Sequence, residues 1–473
     1  MKKSEDAVLM IYKSKKYGGC FYKKFEIFGL FGYKDVSIVF NHSTLIVIGE
    51  NGFGKTSILN ALNFLITHSY NRLLEIKFSA LRIVIADADY YFERSLIEKY
   101  VSYIERRDND GHSIIDFVRR HTDKKVFLNA VDLLNQGKRK EFYGFVNNDD
   151  FLKTIPANVL YQELFTWNEQ TKAFNDFELM ENLIDSYGYD VLFYPTYRRV
   201  EVDYQSLFPQ EQIHRLMRFE NDRNFEKQEM SIRFGMKDVT RRIETITDII
   251  RKSSLEGFTN VSGDIIHQML DARSGTKHEL DCTLDELRIV LDRTGSRLDE
   301  KDKNVILKQF ENHDPKLFEN DFLLFYLLQL LMIYRSQEKY DSAINKYCDV
   351  CNKYMNEKKF VYDASNVTLG IYRCVNGKTM ISDDYKVKLN QLSSGEKQIV
   401  SIFSQIYLEL DKKYVVLFDE PELSLSIYWQ ENLLPDIIAS GNCMFLMAVT
   451  HSPFIFGETL SKYTVGMHEF VKR

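Results

Sequence analysis

The segment Gly49-Glu-Asn-Gly-Phe-Gly-Lys-Thr56 constrains this chain more than any other. Its spacing is G-x-x-x-x-G-K-[ST], a loop whose glycines let backbone N–H groups close around phosphate oxygens. The flanks agree with it. Thr44-Leu-Ile-Val-Ile48 is a β-branched run of the kind buried in a parallel sheet, and Ser57-Ile-Leu-Asn-Ala-Leu-Asn-Phe-Leu-Ile66 is a helical pattern. A strand entering such a loop and a helix leaving it predict an α/β core. Gly49, Asn51, Gly52, Phe53 and Gly54 would form the cradle. Lys55 would supply charge to β- and γ-phosphates, and Thr56, followed by Ser57 at the helix start, would offer a hydroxyl to Mg²⁺.

Three segments far along the chain carry compatible chemistry. Tyr414-Val-Val-Leu-Phe418 delivers Asp419, Glu420, Pro421 and Glu422 at a strand's C-terminal end, where ligands bind in open α/β sheets. Asp419 suits a Mg²⁺ shell, and Glu420 suits a base that polarises an attacking water. Leu392-Ser-Ser-Gly-Glu-Lys-Gln398 can make an anion site from the Ser393 and Ser394 hydroxyls and the amides around Gly395 and Glu396. The same letters also read as a helix N-cap, with Ser at the cap and Glu at N3. Val449-Thr450-His451 ends another apolar run, and a polar residue there can reach a phosphate, although a lone His is often structural.

Taken in this order, the motifs resemble the ABC-type ATPase head shared by SMC proteins, RecF-type repair ATPases and OLD-family proteins. Gly49–Thr56 corresponds to Walker A, Leu392–Gln398 to the signature, Asp419–Glu422 to Walker B and the start of the D-loop, and Thr450-His451 to the switch histidine. The resemblance implies ATP and Mg²⁺ as ligands, Glu420 as general base and His451 as γ-phosphate sensor. It also implies a head-to-head dimer in which Ser393 and Gly395 of one copy complete the site around Lys55 of the other. Two departures stand out. The glutamine usual after the first helix and strand is missing, since the first Gln of the chain is Gln136, and Ser424-Leu-Ser426 has serine where OLD-like members have histidine.

The chain has 473 residues, too many for one hydrophobic core. The expected division is an N-terminal ATPase lobe over 1–204, a helical insertion for assembly or partner binding over 205–338, and a C-terminal ATPase lobe over 339–473. The insertion is proline-free from Pro209 to Pro315, and Ile232, Met236, Val239, Ile243, Ile246 and Ile250 step by 4, 3, 4, 3, 4. That seam suits a short helical hairpin or a plain amphipathic helix on its own domain. It is too short for an SMC arm. The apolar run Phe322–Tyr334 is too short to span a bilayer and reads as a buried helix. Cys348 and Cys351 read as ordinary helix cysteines, and six cysteines without a secretory leader suggest a cytoplasmic protein with no membrane partner.

The net charge of −6 leaves DNA as a local patch at most, with Lys15-Lys16, Lys138-Arg-Lys140 and Arg241-Arg242 as its runs. With 22 residues after His451, no nuclease domain of the OLD type is expected beyond it. Pro195-Thr-Tyr-Arg198-Arg199, Phe234-Gly-Met-Lys-Asp-Val239 and the signature also resemble stand-alone ATPase subunits of bacterial anti-phage systems, namely the PARIS ATPase and the PtuA-type ATPase of Septu and retron systems. That resemblance implies an oligomer that senses a phage-derived trigger and controls a separately encoded nuclease. The alternative is a RecF-like repair ATPase that clamps DNA when ATP joins two heads.

Overall fold

The structure is a computed structural model that describes residues 21–50, 52–109, 114–196, 235–270 and 280–472. Asn51, Lys15, Lys16, Arg198, Arg199, Ile232 and Phe234 lie outside the described residues.

The chain opens with strands β1 (Tyr22–Leu30), β2 (Lys34–Val39) and β3 (Thr44–Ile48), then helices α1 (Lys55–Ile66) and α2 (Tyr70–Leu73). Strands β4 (Ala80–Ile85) and β5 (Ala88–Glu93) follow. Next come α3 (Arg94–Asn109), α4 (Ile114–His121), α5 (Lys124–Asn135), α6 (Arg139–Asn148), α7 (Ala157–Ser186) and β6 (Tyr189–Tyr194). After α8 (Met236–Leu270) come α9 (Leu284–Arg293), α10 (Glu300–Glu311), α11 (Pro315–Phe318) and α12 (Asp321–Asn352). The remainder holds β7 (Lys358–Asp363), β8 (Thr368–Val375), β9 (Lys378–Thr379), β10 (Lys386–Val387), α13 (Ser394–Leu408), β11 (Lys413–Asp419), α14 (Ile427–Ala439), β12 (Cys443–Thr450), β13 (Thr464–Gly466) and β14 (Val471–Lys472).

Three sheets result. A parallel sheet runs β13-β3-β12-β11-β6, and an antiparallel one runs β14-β2-β1-β4-β5. A smaller antiparallel sheet joins β10, β8 and β7, with β9 closing a hairpin on β8 through Asn376 and Gly377, both at positive φ.

The parallel sheet is buried on both faces, and side-chain alternation sorts its residues between two cores. On β11, Val415 and Leu417 join the core shared with the antiparallel sheet and α1, while Tyr414, Val416 and Phe418 join the core under α8, α12 and α13. Leu45 and Val47 against Ile46 on β3, and Met447 and Val449 against Leu446 and Ala448 on β12, divide in the same way. The α/β head expected from the P-loop is therefore present, with helices flanking a parallel sheet.

Two long helices each serve two cores. The first half of α7 gives Leu160 and Leu164 to a separate cluster with Ile115, Phe127 and Phe142, while its second half stacks Phe177 on Phe92 and Tyr100 in the head. Along α12, Leu327 packs with Leu287, Leu291 and Ile306, whereas Ile344, Tyr347 and Cys351 pack under the parallel sheet. A boundary at 338 therefore falls inside one continuous helix. The run Phe322–Tyr334 lies on α12 but is not buried all round, since Phe322 is 42% exposed and Met332 is 55% exposed.

The described part of the seam also turns inward. Met236, Val239, Ile246 and Ile250 are buried in the head core, and Ile243 packs against it. This is the plain amphipathic helix of the two readings, because α8 lays its apolar face on α12 and α13. Cys348 and Cys351 are buried in the same core, and burial pushes both thiols up, Cys348 to about 12. No helix among the described residues is long and apolar enough to cross a membrane.

Candidate functional site

Strands β3, β11 and β12 are neighbours and point the same way, so their C-terminal ends bring three distant loops together. Gly52 and Gly54 stand at φ +85° and +86°, backbone that side chains rarely adopt. At Gly54 a Cβ would also meet the Phe31 ring at 2.9 Å, so the turn tolerates only glycine. Gly54 caps α1 without a side chain of its own to offer, and the first turn carries no acid. The orphan amides of that turn and the positive end of the helix therefore remain for an anion.

The Lys55 side chain is buried, and its ammonium has three acceptors: Gly49 O at 2.7 Å, Glu50 O at 2.8 Å and His451 Nε2 at 2.8 Å. Burial lowers the pKa of Lys55, and the carboxylates of Glu420, Asp419 and Glu422 work against that shift. His451 Nε2 also lies 3.7 Å from Glu420 Oε1. Phe31, Gly52, Gly54, Lys55, Thr56, Glu420 and His451 line a cavity of about 220 Å³. A second cavity of about 450 Å³ adjoins it at His451 and is bounded by Gly49, Phe53 and His468. Ser57 is half-buried on α1 and is not among the residues lining either cavity.

The acidic pair is set by strand register. Phe418 pairs with Tyr194, which places Thr196 beside the end of β11, and the Thr196 hydroxyl donates to Asp419 Oδ2. Asp419 is buried, while Glu420 follows at φ +50° with its amide bonded to Val449 O at 2.8 Å. Two residues on, Glu422 accepts from Thr450 Oγ1 and from the His451 amide, both at 2.8 Å, and from the Ser452 amide at 3.2 Å. Sequence reasoning passed over Thr196 and the Glu422 contacts. The P-T-Y-R-R segment was the available signal for Thr196. For Glu422 it was the second acid of the D-E-P-E run.

The signature turn is arranged differently. Ser393 caps α13, its Oγ accepting the Glu396 amide at 3.4 Å while Glu396 Oε2 accepts the Ser393 amide at 2.7 Å. Lys358 Nζ holds both Glu396 oxygens, at 2.9 and 2.8 Å. Burial alone would raise the Glu396 pKa, but the Lys358 ammonium and the Ser393 bonds outweigh it and hold the carboxyl below its usual value. Glu396, expected among the nucleotide ligands, makes these contacts within its own chain. Ser393 and Ser394 face solvent, and no residue of 393–396 lines either cavity beside Lys55. Gly395 lies so close to Ser424 O and the Trp429 ring that a Cβ would meet them at 2.8 and 2.9 Å.

A family model described as "AAA ATPase domain" (AAA_15) matches residues 23–456. No curated protein matches the chain. Among solved structures, the Smc head domain of Pyrococcus furiosus, with an extended coiled coil and bound to the C-terminal domain of ScpA, is 12% identical with a TM-score of 0.32, over 94% of this chain and 93% of that one. An SmcHead bound to the C-winged helix domain of ScpA is 12% identical with a TM-score of 0.31, over 94% of each chain. The Smc head domain of Pyrococcus yayanosii, with a coiled coil and joint, is 12% identical with a TM-score of 0.27, over 94% of each chain.

Proposed function

The chain belongs to the AAA ATPase domain family, and we propose that it is a Mg²⁺-dependent ATP hydrolase working as a molecular switch, with turnover waiting on a second head. The observation that carries this reading is the meeting of Lys55, Glu420 and His451 from loops up to 396 residues apart in sequence. The residues fit a triphosphate. An uncapped helix start, one ammonium and one hydroxyl face a common cavity. Thr56 and Asp419 would hold Mg²⁺, which when bound offsets charge on the β- and γ-oxygens. Glu420 would take a proton from the attacking water, and its backbone bond to Val449 O keeps it at the strand end.

An ammonium has three N–H bonds, and Lys55 already has three acceptors. A phosphate that engages Lys55 must displace one of them. His451 is the acceptor on a side chain, so it gives way at the least cost in backbone geometry. The same residue can then turn to the γ-phosphate.

The separation of Ser393 from both cavities supports completion of the site by another copy. A mixing experiment tests it. Lys55→Ala and Ser393→Arg chains should each be inactive alone. Combined, they form one composite site with both wild-type residues, and turnover should return. No recovery in a mixture shown to be dimeric would overturn completion in trans.

The reading extends to a separately encoded effector, a nuclease, with a phage-derived component as trigger. Its support is the resemblance of the Pro195–Arg199 and Leu392–Gln398 segments to anti-phage ATPase subunits. Co-purification with the neighbouring gene product, with and without Glu420→Gln, tests it. The DNA-clamp alternative is weaker in one of its runs. The Arg242 guanidinium is buried, bonded to Glu409 at 2.6 Å, and Arg241 pairs with Asp238 at 3.4 Å.

A further inference from the structure

Past Asp419 and Val449, the last residues paired between β11 and β12, the two catalytic loops have no ladder to hold them together. Beyond the Glu420 amide's bond to Val449 O, the side chain of Glu422 ties them most extensively. The carboxylate of Glu422 accepts three hydrogen bonds from three consecutive residues of the loop that carries His451: the Thr450 hydroxyl on Oε2, and the His451 and Ser452 amides on Oε1. A second tie comes from α14, where Gln430 Oε1 accepts the Ser452 hydroxyl at 2.7 Å and Gln430 Nε2 donates to Leu425 O at 2.9 Å. A carboxylate suits this place because it is acceptor-only and has two oxygens for one hydroxyl and two amides.

We propose that Glu422 is a positioning residue, which sets the backbone of His451 so that its ring reaches Lys55 and Glu420 at the phosphate site. This rests on the ATPase reading above. Glu422 touches none of the reacting atoms in that scheme. Its effect on the reaction passes through the His451 backbone, whose amide it holds at 2.8 Å while the ring stands 2.8 Å from Lys55 Nζ. The carboxylate also adds negative field at Lys55, so geometry and charge must be separated.

Two variants separate them. Glu422→Gln keeps an oxygen for both amides and can turn its NH₂ to the Thr450 hydroxyl, so it preserves the tether without the charge. Glu422→Ala removes both. Glu422→Ala should lower kcat about 10²-fold, the usual cost of misplacing a reacting group by an ångström, with ATP affinity and thermal midpoint close to wild type. Glu422→Gln should restore most of that loss. Equal loss in both variants would assign the effect to charge and overturn the tether. So would wild-type kcat in Glu422→Ala, or a fall in kcat that merely tracks a fall in stability.

A readout independent of turnover is the NMR signal of labelled His451 in nucleotide-free protein. It should move in Glu422→Ala as far as in Lys55→Ala, stay in place in Glu422→Gln, and leave His68 unaffected. An unmoved His451 signal in Glu422→Ala overturns the proposal whether or not the wild-type chain hydrolyses ATP. Absence of hydrolysis in the wild type would count against the ATPase reading alone.

Discussion

The P-loop centre and the signature turn are both helix N-termini rich in glycine and hydroxyl groups, yet they are finished to different degrees. At Gly54 the cap residue has no side chain, the first turn has no acid, and the orphan amides of α1 face a cavity lined by Lys55 and Glu420. At Ser393 the cap is closed by a reciprocal pair with Glu396, and Lys358 neutralises the acid. An open helix start keeps its field and donors for a ligand, whereas a capping box uses them to hold the chain. The difference teaches that two glycine- and hydroxyl-rich helix starts can be built to opposite ends, one left open and one closed on its own chain. The signature's fixed shape, with Ser393 and Ser394 turned to solvent, is suited to presentation toward another molecule.

The largest effect that would sharpen this contrast is at Lys55. Lys55→Ala should weaken ATP binding about 10²-fold or more, read by calorimetry, because it removes the one ammonium among the described residues that line the cavity. Unchanged affinity would mean that the open helix start is not the phosphate site. Next comes Glu420→Gln, for which turnover should fall about 10²–10⁴-fold while ATP remains bound. A single-turnover assay beside a binding isotherm distinguishes these quantities. At the signature the expected effect is smaller and of another kind. Ser393→Ala should cost about 1 kcal/mol of stability through the lost cap, with the nucleotide affinity of the isolated chain unchanged. A drop in affinity without a drop in stability would erase the distinction between the two termini. The smallest effect is a pH dependence. Glu396 titrates below its usual value when folded, so its contribution is present above the unfolded pKa and is lost as pH falls through the folded one. Glu396→Gln should therefore lose less stability than wild type on acidification below about pH 4.5, measured by denaturant titration.

What was legible in the sequence was what is local. The strand before Gly49, the helix after Lys55, the hairpin at Asn376-Gly377 and the apolar strands ahead of Asp419 and His451 each carry their signal within about ten residues of chain. What was not legible depends on packing between distant segments. The cluster of Ile115, Phe127, Phe142 and Leu164 has no motif, and only their meeting on α4–α7 makes it a core. The seam around Ile246 has the same spacing whether it faces a partner or its own sheet, and the choice was made by the apolar faces of α12 and α13. Thr196 reaches Asp419 because of the register Phe418↔Tyr194, which no single stretch encodes. Glu396 illustrates the opposite case. The N-cap reading of L-S-S-G-E was available from the letters, and the lysine that completes it comes from β7, 38 residues upstream.

The two-sided burial of β11 has a genetic consequence. Tyr414, Val416 and Phe418 belong to one core, and Val415 and Leu417 to the other. A single inserted codon within this strand would exchange the two sets and rotate every later position by half a turn. Asp419 would then leave Thr196, and Glu420 would lose its place against Val449. An insertion of two codons would preserve the parity of the faces while moving the acids about two residues past the end of β12. The carboxylates of Asp419 and Glu420 are thus located by counting, and indels in this strand should be far less tolerated than substitutions among its aliphatic residues.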